Sequence, residues 1–314
     1  MKILDNGNKH VLPLLPAIIA EKLNKTITDC KLIGGGSFGR VYKVQLSDGQ
    51  TIAVKAYRIQ GSQHQEAEQL RILSANTNVP MPQVLFTFED TQTALLAMSF
   101  TGGQNVLNPL FLFKTKAQKQ KFAEDVISGM LCWHRVQNEN FGTLSNAVYE
   151  SWYDFYRTEK QIPWLAALRK LTENGKFSPK KMQLLTDATA LFNALPEENP
   201  TAVLIHGDLN IMNIMADTKT MQLTAFIDPC GSMWADREYD LFQLRNMWGD
   251  AFGLYATYKK KYPLSEYADF RVAYYAAMHE ASMRLNGGLH TPLWEDMNNA
   301  RLKKEMRKLK EKRI

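Results

Sequence analysis

Only three of the 314 residues are cysteine, Cys30, Cys132 and Cys230, an odd number set far apart with no C-x-x-C pair and no histidines grouped around them. That excludes a disulfide framework and a structural zinc site, and it points to a reducing compartment. No window of eighteen apolar residues occurs, so no helix is expected to cross a membrane. The run from Val11 to Ala20 follows Lys2 and Lys9 as a secretory signal would, but Pro13 and Pro16 interrupt it and Glu21-Lys22 follows without a small-residue cleavage site. It reads as a short amphipathic helix, and the chain is expected in the cytoplasm. Charge of one sign is also missing from most of the chain. The formal +6 resides in Arg301 to Ile314, where eight Lys and Arg stand against two Glu, so the rest balances to zero. A broad basic face for nucleic acid is therefore not expected. Within that tail Leu302, Met306 and Leu309 recur at helical spacing, the pattern of a terminal helix with a solvated basic face. There is no internal repeat, and the tail is the single biased segment. With 45% hydrophobic residues, the length suffices for two packed domains.

What the chain does contain is a constellation of polar residues at strand ends. Val203, Leu204 and Ile205 form a short apolar run that delivers His206-Gly207-Asp208, and Asn213 follows five residues after the aspartate. A second apolar run, Leu223 to Ile227, ends at Asp228, and the two runs are expected to be neighbouring strands. Magnesium favours hard oxygen ligands and keeps several waters, so one carboxylate and one amide oxygen, completed by phosphates, make a site. A further carboxylate is left over to act on a hydroxyl. Asp and Asn after a strand are also ordinary turn residues, so the constellation needs support from elsewhere.

The first third of the chain supplies that support. Gly34-Gly35-Gly36-Ser37-Phe38-Gly39-Arg40-Val41 stands between two β-rich runs, with a hairpin signal at Asp48-Gly49 beyond. The glycines neither open a helix nor end in Lys-Ser/Thr, which removes the dinucleotide and Walker readings. A strand-glycine-strand loop lets backbone N–H groups approach phosphate where a Cβ would obstruct. Thr51 to Tyr57 then places Lys55 inside an apolar alternating run, a costly position for an ammonium without a counter-charge. A helix from about Gln63 to Ala75 offers that charge: Glu66 shares a face with Leu70 and Leu73, whereas Glu68 points away. Two strands follow, Gln83 to Glu89 and Thr93 to Phe100, and Met98, Ser99 and Phe100 mark the hinge before Thr101-Gly102-Gly103. Beyond residue 101 the pattern turns helical. His134 falls in the apolar stripe of a helix from Lys116 to Val136 and reads as a core histidine. Trp152, Tyr153, Phe155, Tyr156 and Trp164 are either the wall of an acceptor pocket or the packing of a helical hairpin.

The glycine loop, strand lysine, helix glutamate, Asp-x4-Asn loop and strand-end aspartate occur in the order found in protein kinases, with the G-x-G-x-x-G-x-V spacing met by Gly34, Gly36, Gly39 and Val41. His-Gly-Asp stands in place of His-Arg-Asp and Asp228-Pro229 in place of Asp-Phe-Gly, and the short run before Asp236 leaves no room for a long activation segment. A protein kinase is therefore the lesser reading, beside a nucleotide-binding pseudokinase scaffold and a phosphotransferase for aminoglycosides or other hydroxyl-bearing metabolites. The chain resembles the aminoglycoside phosphotransferase and choline kinase superfamily. Within it, I-D-P followed by D-R-E-Y-D-L is similar to the fructosamine kinase family, although Asn210-Ile211-Met212 replaces the usual Trp-Ser-Gly. The resemblance implies an α+β, two-lobed protein-kinase-like fold. Residues 1–101 would form a small antiparallel sheet with one main helix, and 102–314 a larger, mainly helical lobe ending in the basic tail 301–314. It implies ATP and Mg2+ as cofactors, Asp208 as the catalytic group and Asn213 and Asp228 as metal ligands. Gly34, Gly35, Gly36, Ser37, Phe38, Gly39, Val41, Lys55, Glu66, Met98, Ser99 and Phe100 would surround the nucleotide. The acceptor it implies is a small-molecule ketoamine or another hydroxyl-bearing compound, including glycated lysine on proteins.

Overall fold

The computed structural model describes residues 11–36, 39–285 and 291–312, so Ser37 and Phe38 of the glycine loop lie outside the described residues. Helix α1 (Val11–Leu23) buries Val11, Leu15, Ile18 and Ile19, one stripe of an amphipathic helix. It leads into strands β1 (Ile27–Gly35), β2 (Gly39–Leu46) and β3 (Thr51–Tyr57), then α2 (Ser62–Ala75), β4 (Val84–Glu89) and β5 (Ala94–Ser99). These strands form one antiparallel sheet in the order β1-β2-β3-β5-β4. The Asp-Gly hairpin joins β2 to β3 as expected, with Gly49 at φ 85° and the Asp48 carboxylate accepting Gln50 N–H at 3.1 Å.

The two faces of this sheet are closed differently. On one, α1 packs against Tyr42, Val44, Ile52, Val54, Leu95 and Ala97 as a separate small core. On the other, Ala67, Leu70 and Leu73 of α2 join Leu96 and Met98 in a core that continues into the helical part of the chain. The Trp133 indole N–H reaches across to the Leu73 carbonyl at 2.9 Å. Sheet and helices are thus tied through α2, the element that carries Glu66.

The chain leaves the sheet after Ser99. Strand β6 (Gln104–Asn105) already belongs to a second, three-stranded sheet, and Gly103, at φ 95°, fits where a Cβ would meet Thr224 Oγ1 and the Ala216 carbonyl. Helix α3 (Lys116–Trp133) starts at a capping box in which Thr115 and Gln118 satisfy each other's amides. The short strands β7 (Gln137–Asn138), β8 (Phe141–Thr143) and β9 (Ala147–Tyr149) follow, then α4 (Trp152–Tyr156), α5 (Ile162–Glu173) and α6 (Pro179–Ala194). Next come β10 (Ala202–Ile205), β11 (Ile214–Ala216), β12 (Leu223–Phe226) and β13 (Met233–Ala235), and finally α7 (Arg237–Asp240), α8 (Leu254–Lys261), α9 (Ala268–Ser282) and α10 (Pro292–Lys312). The α+β architecture expected from the sequence is therefore present, and α10 buries Leu302 and Leu309 while Lys303, Lys304, Lys308 and Lys310 face outward. No helix among the described residues is long and apolar enough to cross a membrane.

One expectation fails. The strands that deliver Asp208 and Asp228 are not hydrogen-bonded neighbours: β10 pairs with β7 and β13, while β12 pairs with β11 in the other small sheet. Their ends meet because the Ile227 N–H donates to the Asn213 carbonyl at 3.0 Å and because Trp133 packs on both His206 (5.4 Å) and Phe226 (5.3 Å).

Candidate active site

A cleft of about 410 Å³ opens between the five-stranded sheet and the three-stranded one. Val41 and Ala53 line it from the first and Met215 and Ile227 from the second, giving two apolar surfaces suited to a flat ring. Gly34, Lys55, Glu66, Met98, Ser99, Phe100 and Asp228 also line it. Gly35, Gly36 and Gly39 do not. Gly39 has a different reason to be glycine: a Cβ there would overlap the Ala56 carbonyl of β3, so the residue allows β2 and β3 to close. Met98 and Ser99 still belong to β5, with the Ser99 N–H donating to the Gln83 carbonyl at 2.8 Å, so the chain departs from the sheet only at Phe100. Ala53, Met215 and Ile227 line the cleft without any mark of it in the sequence. They are apolar residues in apolar strands, with nothing to distinguish a cleft-lining position from a core one.

At the inner end of the cleft Lys55 is almost fully buried and held between two carboxylates. Its ammonium donates to Glu66 Oε2 at 2.6 Å and to Asp228 Oδ1. Burial alone would lower its pKa, but the charges of Asp228 and Glu66 outweigh that and raise it, so the lysine stays cationic. Burial pushes the Glu66 carboxyl up, against the pull of Lys55. The Tyr57 hydroxyl donates to the same Glu66 oxygen at 2.7 Å. Glu66, on the face it shares with Leu70 and Leu73, is thus the glutamate that meets Lys55, while Glu68 is exposed. Asp228 sits at φ 54°, a left-handed conformation that aspartate tolerates better than most residues, and its side chain is 46% exposed, open toward the cleft.

Asp208 lies on the loop after β10, held by two amides. Asn210 Nδ2 donates to Oδ1 at 2.8 Å, and Asn213 Nδ2 donates to Oδ2 at 2.9 Å and to the Asp208 carbonyl at 2.7 Å. These bonds fix which way each amide faces, and they turn Asn213 Oδ1 away from Asp208. Burial, then the charge of Asp228, pushes the Asp208 carboxyl up to about 8, while the two amides pull it back. Asn210, where the resemblance anticipates a tryptophan, is buried and closes a small turn in which its Oδ1 accepts the Met212 N–H at 2.9 Å.

The loop is anchored from beneath by a residue that sequence reasoning left unassigned. Asp240, completely buried at the end of α7, accepts the N–H groups of Gly207 at 2.9 Å and His206 at 3.2 Å. His134 bridges Asp240 (3.3 Å) and the Tyr258 hydroxyl (2.8 Å), a core histidine as expected, with a structural task. Gly207, at φ 83°, leaves no room for a side chain, because a Cβ would stand 2.6 Å from the Cys230 carbonyl. The aromatic segment divides as well. Trp152, Tyr153, Phe155 and Tyr156 are buried against Phe192, Tyr239, Tyr274 and Tyr275, with Tyr156 and Tyr275 centroids 4.9 Å apart, so they are packing. Trp164 alone of the group stays partly exposed.

A buried cation between two carboxylates and an open oxygen of Asp228 stand at a cleft sized for a nucleotide, with Asp208 and Asn213 on the adjoining loop outside its lining. The comparison with known proteins agrees with that chemistry. Residues 29–284 match the model of the phosphotransferase enzyme family, APH. The chain belongs to the phosphotransferase enzyme family. Its relatives include the uncharacterised protein YcbJ of Escherichia coli K12, 24% identical over 241 residues, which are 76% of this chain and 80% of YcbJ. Among solved structures, a candidate fructosamine-3-kinase from Thermobifida fusca is similar, with a TM-score of 0.67 and 21% identity, covering 93% of this chain and 98% of that one. A thermostable mutant of the aminoglycoside phosphotransferase APH(4)-Ia, in complex with ADP and hygromycin B, gives a TM-score of 0.69 at 16% identity, covering 94% and 98%. At these identities the structural likenesses establish the fold, a kinase-like phosphotransferase fold, and the family match establishes an enzyme of phosphoryl transfer.

Proposed function

We propose that this phosphotransferase is an ATP- and Mg2+-dependent small-molecule kinase that phosphorylates a sugar hydroxyl of a ketoamine. The observation that carries the reading is the Lys55 ammonium held between Glu66 and Asp228 within one loop's reach of Asp208. Residues up to 101 and from 102 onward act as the two lobes that meet at this cleft. Lys55, oriented by Glu66, and the glycine strand around Gly34 hold the phosphates, while Val41, Ala53, Met215 and Ile227 enclose the base. Asn213 and Asp228 would hold magnesium, which would supply charge neutralisation at the phosphates. Asp208, fixed by Asn210 and Asn213, takes the proton of the acceptor hydroxyl as its oxygen bonds to the γ-phosphorus and the bond to the β-phosphate oxygen breaks, releasing ADP. The ketoamine acceptor is supported by the I-D-P and D-R-E-Y-D-L motifs. The three free thiols suit a cytoplasmic enzyme.

The test is ADP release from Mg2+-ATP with a fructosyl-amine, a ribulosyl-amine, an aminoglycoside and choline, with Asp208→Asn as control. Turnover on a ketoamine that is lost in the variant is expected. Turnover on the aminoglycoside or choline alone would replace the acceptor, and turnover unchanged in Asp208→Asn would remove Asp208 from the mechanism.

A further inference from the structure

Between β6 and α3 the chain holds apolar side chains out into water. Pro109–Phe113 is a short 3-10 helix in which Phe111 is completely buried, whereas Leu110, Leu112 and Phe113 are 57%, 44% and 84% exposed. Residues three apart eclipse on a 3-10 helix, so Leu110 and Phe113 stand along one edge. That edge is fixed. Asn108 Oδ1 caps the segment by accepting the Leu110 N–H at 3.1 Å, Phe111 anchors it in the main core, and the capping box of α3 begins two residues after Phe113. Single exposed apolar residues are ordinary, but a rigid ridge of three is a candidate contact surface.

Directly behind the ridge runs a groove of about 540 Å³ between α3 and α8, separate from the nucleotide cleft. Lys114, Lys116, Lys119, Lys260 and Lys261 line it, against the acids Glu124 and Asp250. Asp250 is already neutralised by Arg245 at 3.1 Å and Arg301 at 2.8 Å. Among the described residues no carboxylate pairs with any of these lysines. Lys114 donates to the Lys219 carbonyl at 3.1 Å, Lys119 to the Leu112 carbonyl at 2.8 Å and Lys261 to the Ser128 hydroxyl at 2.9 Å, while Lys116 and Lys260 meet no acceptor. The lysines of the same helices that lie outside the groove differ: Lys121 pairs with Asp125 and Lys259 with Asp269. Uncompensated charge is thus gathered on the groove, and the bond from Lys119 to Leu112 joins groove to ridge.

We propose that this face docks on an anionic phospholipid surface, with Leu110, Leu112 and Phe113 entering the boundary of the acyl region and the groove lysines meeting headgroup phosphates. A bilayer offers the two chemistries in the order the protein presents them, apolar beyond and anionic around. A nucleic acid would take the lysines but leave the leucines in water, and an acidic peptide would leave the ridge outside the groove it fills. The inference is independent of which acceptor the enzyme uses.

The test is co-sedimentation of the full chain with vesicles of phosphatidylcholine alone and of phosphatidylcholine mixed with phosphatidylglycerol, across a salt series. It is run on wild type, Phe113→Ser, Lys116→Glu/Lys260→Glu and, for the other basic surface, Lys303→Glu/Lys304→Glu. The wild type should bind the mixed vesicles and not the neutral ones, and salt should weaken the binding. The Lys116/Lys260 variant should lose roughly tenfold or more in partitioning, and Phe113→Ser a similar factor, while the α10 variant binds as wild type does. No binding to mixed vesicles at low salt overturns the inference. So does binding that the α10 variant loses and the groove variant keeps. Binding unaffected by Phe113→Ser overturns the docking and leaves a general anion groove. Retention of polyglutamate or RNA without vesicle binding overturns it in favour of that polymer. The comparison of mixed with neutral vesicles is made on wild type, so a poorly folded variant would not shield the idea.

Discussion

Replacing Asp240 by asparagine changes one atom 33 residues along the chain from the loop it holds, and its cost can be worked through. The carboxylate, wholly buried, receives three donors: Gly207 N–H, His206 N–H and the His134 ring nitrogen Nε2, which carries its proton when Tyr258 donates to Nδ1. An asparagine presents one oxygen and one NH2. With the NH2 in the Oδ1 place it confronts Gly207 N–H; in the Oδ2 place it confronts His206 N–H, although His134 can adapt by changing tautomer. Either way one backbone N–H is left in a water-free site without an acceptor, at about 1–3 kcal/mol, and the surviving bonds lose charge assistance of about 1 kcal/mol each. Relief from burying an ionised carboxylate offsets part of this. A net loss of about 2–4 kcal/mol is expected in equilibrium urea unfolding followed by tryptophan fluorescence. Turnover should fall at least about tenfold, because Asp208 is no longer held in place, with a smaller change in nucleotide KM. His134→Gln, which disturbs one donor instead of two backbone amides, should cost less. Stability within about 0.5 kcal/mol of wild type together with normal turnover in Asp240→Asn would refute the claim that this residue fixes the loop.

Asp208→Asn should lower turnover by about 100-fold or more while nucleotide affinity stays within about twofold, since a general base acts in the transition state; an equal loss of nucleotide binding by calorimetry would contradict it. Asp228→Asn keeps a residue that tolerates the left-handed backbone, so the fold should survive while Mg2+-dependent nucleotide binding weakens and Mg2+-independent binding does not; intact Mg2+ dependence would remove Asp228 as a ligand. Burial holds the His206 imidazole down at about 4 from its ordinary 6.5. Its contribution to stability is complete above pH 6.5 and lost as pH falls toward 4, about 3 kcal/mol in all. His279 acts in the same sense, whereas Asp208, raised to about 8, contributes most below its ordinary 3.8 and loses that as pH rises. His206→Asn retains an acceptor for the Asp208 N–H and does not titrate, so its unfolding free energy should fall less between pH 7 and pH 4.5 than that of wild type. Parallel pH profiles would exclude His206.

The residues legible in the sequence are those whose chemistry conflicts with their surroundings. Lys55 stands in a strand whose other members are apolar or small, and a charge there must have a partner; helical phase then singles out Glu66. Asp208, Asn213 and Asp228 follow apolar runs that end abruptly. What periodicity reports, however, is burial, and burial does not name the partner. So β10 and β12, each a buried run, read as a pair and do not pair, and the same five aromatic side chains from Trp152 to Trp164 fit a pocket wall and a helical core equally well in the sequence. Asp240 shows the limit most clearly. In D-R-E-Y-D-L it looks like one more acid in a helix opened by Asp236, and Asp236 does cap that helix, accepting the Glu238 N–H at 3.0 Å. Nothing local separates the cap from the anchor, because the two differ only in which amides they meet, and those amides arrive from β10 through the long-range pairing of β10 with β13. A residue that acts on a ligand can be recognised from what its own segment should not contain. A residue that holds another in position is recognised only once the fold has brought the two together.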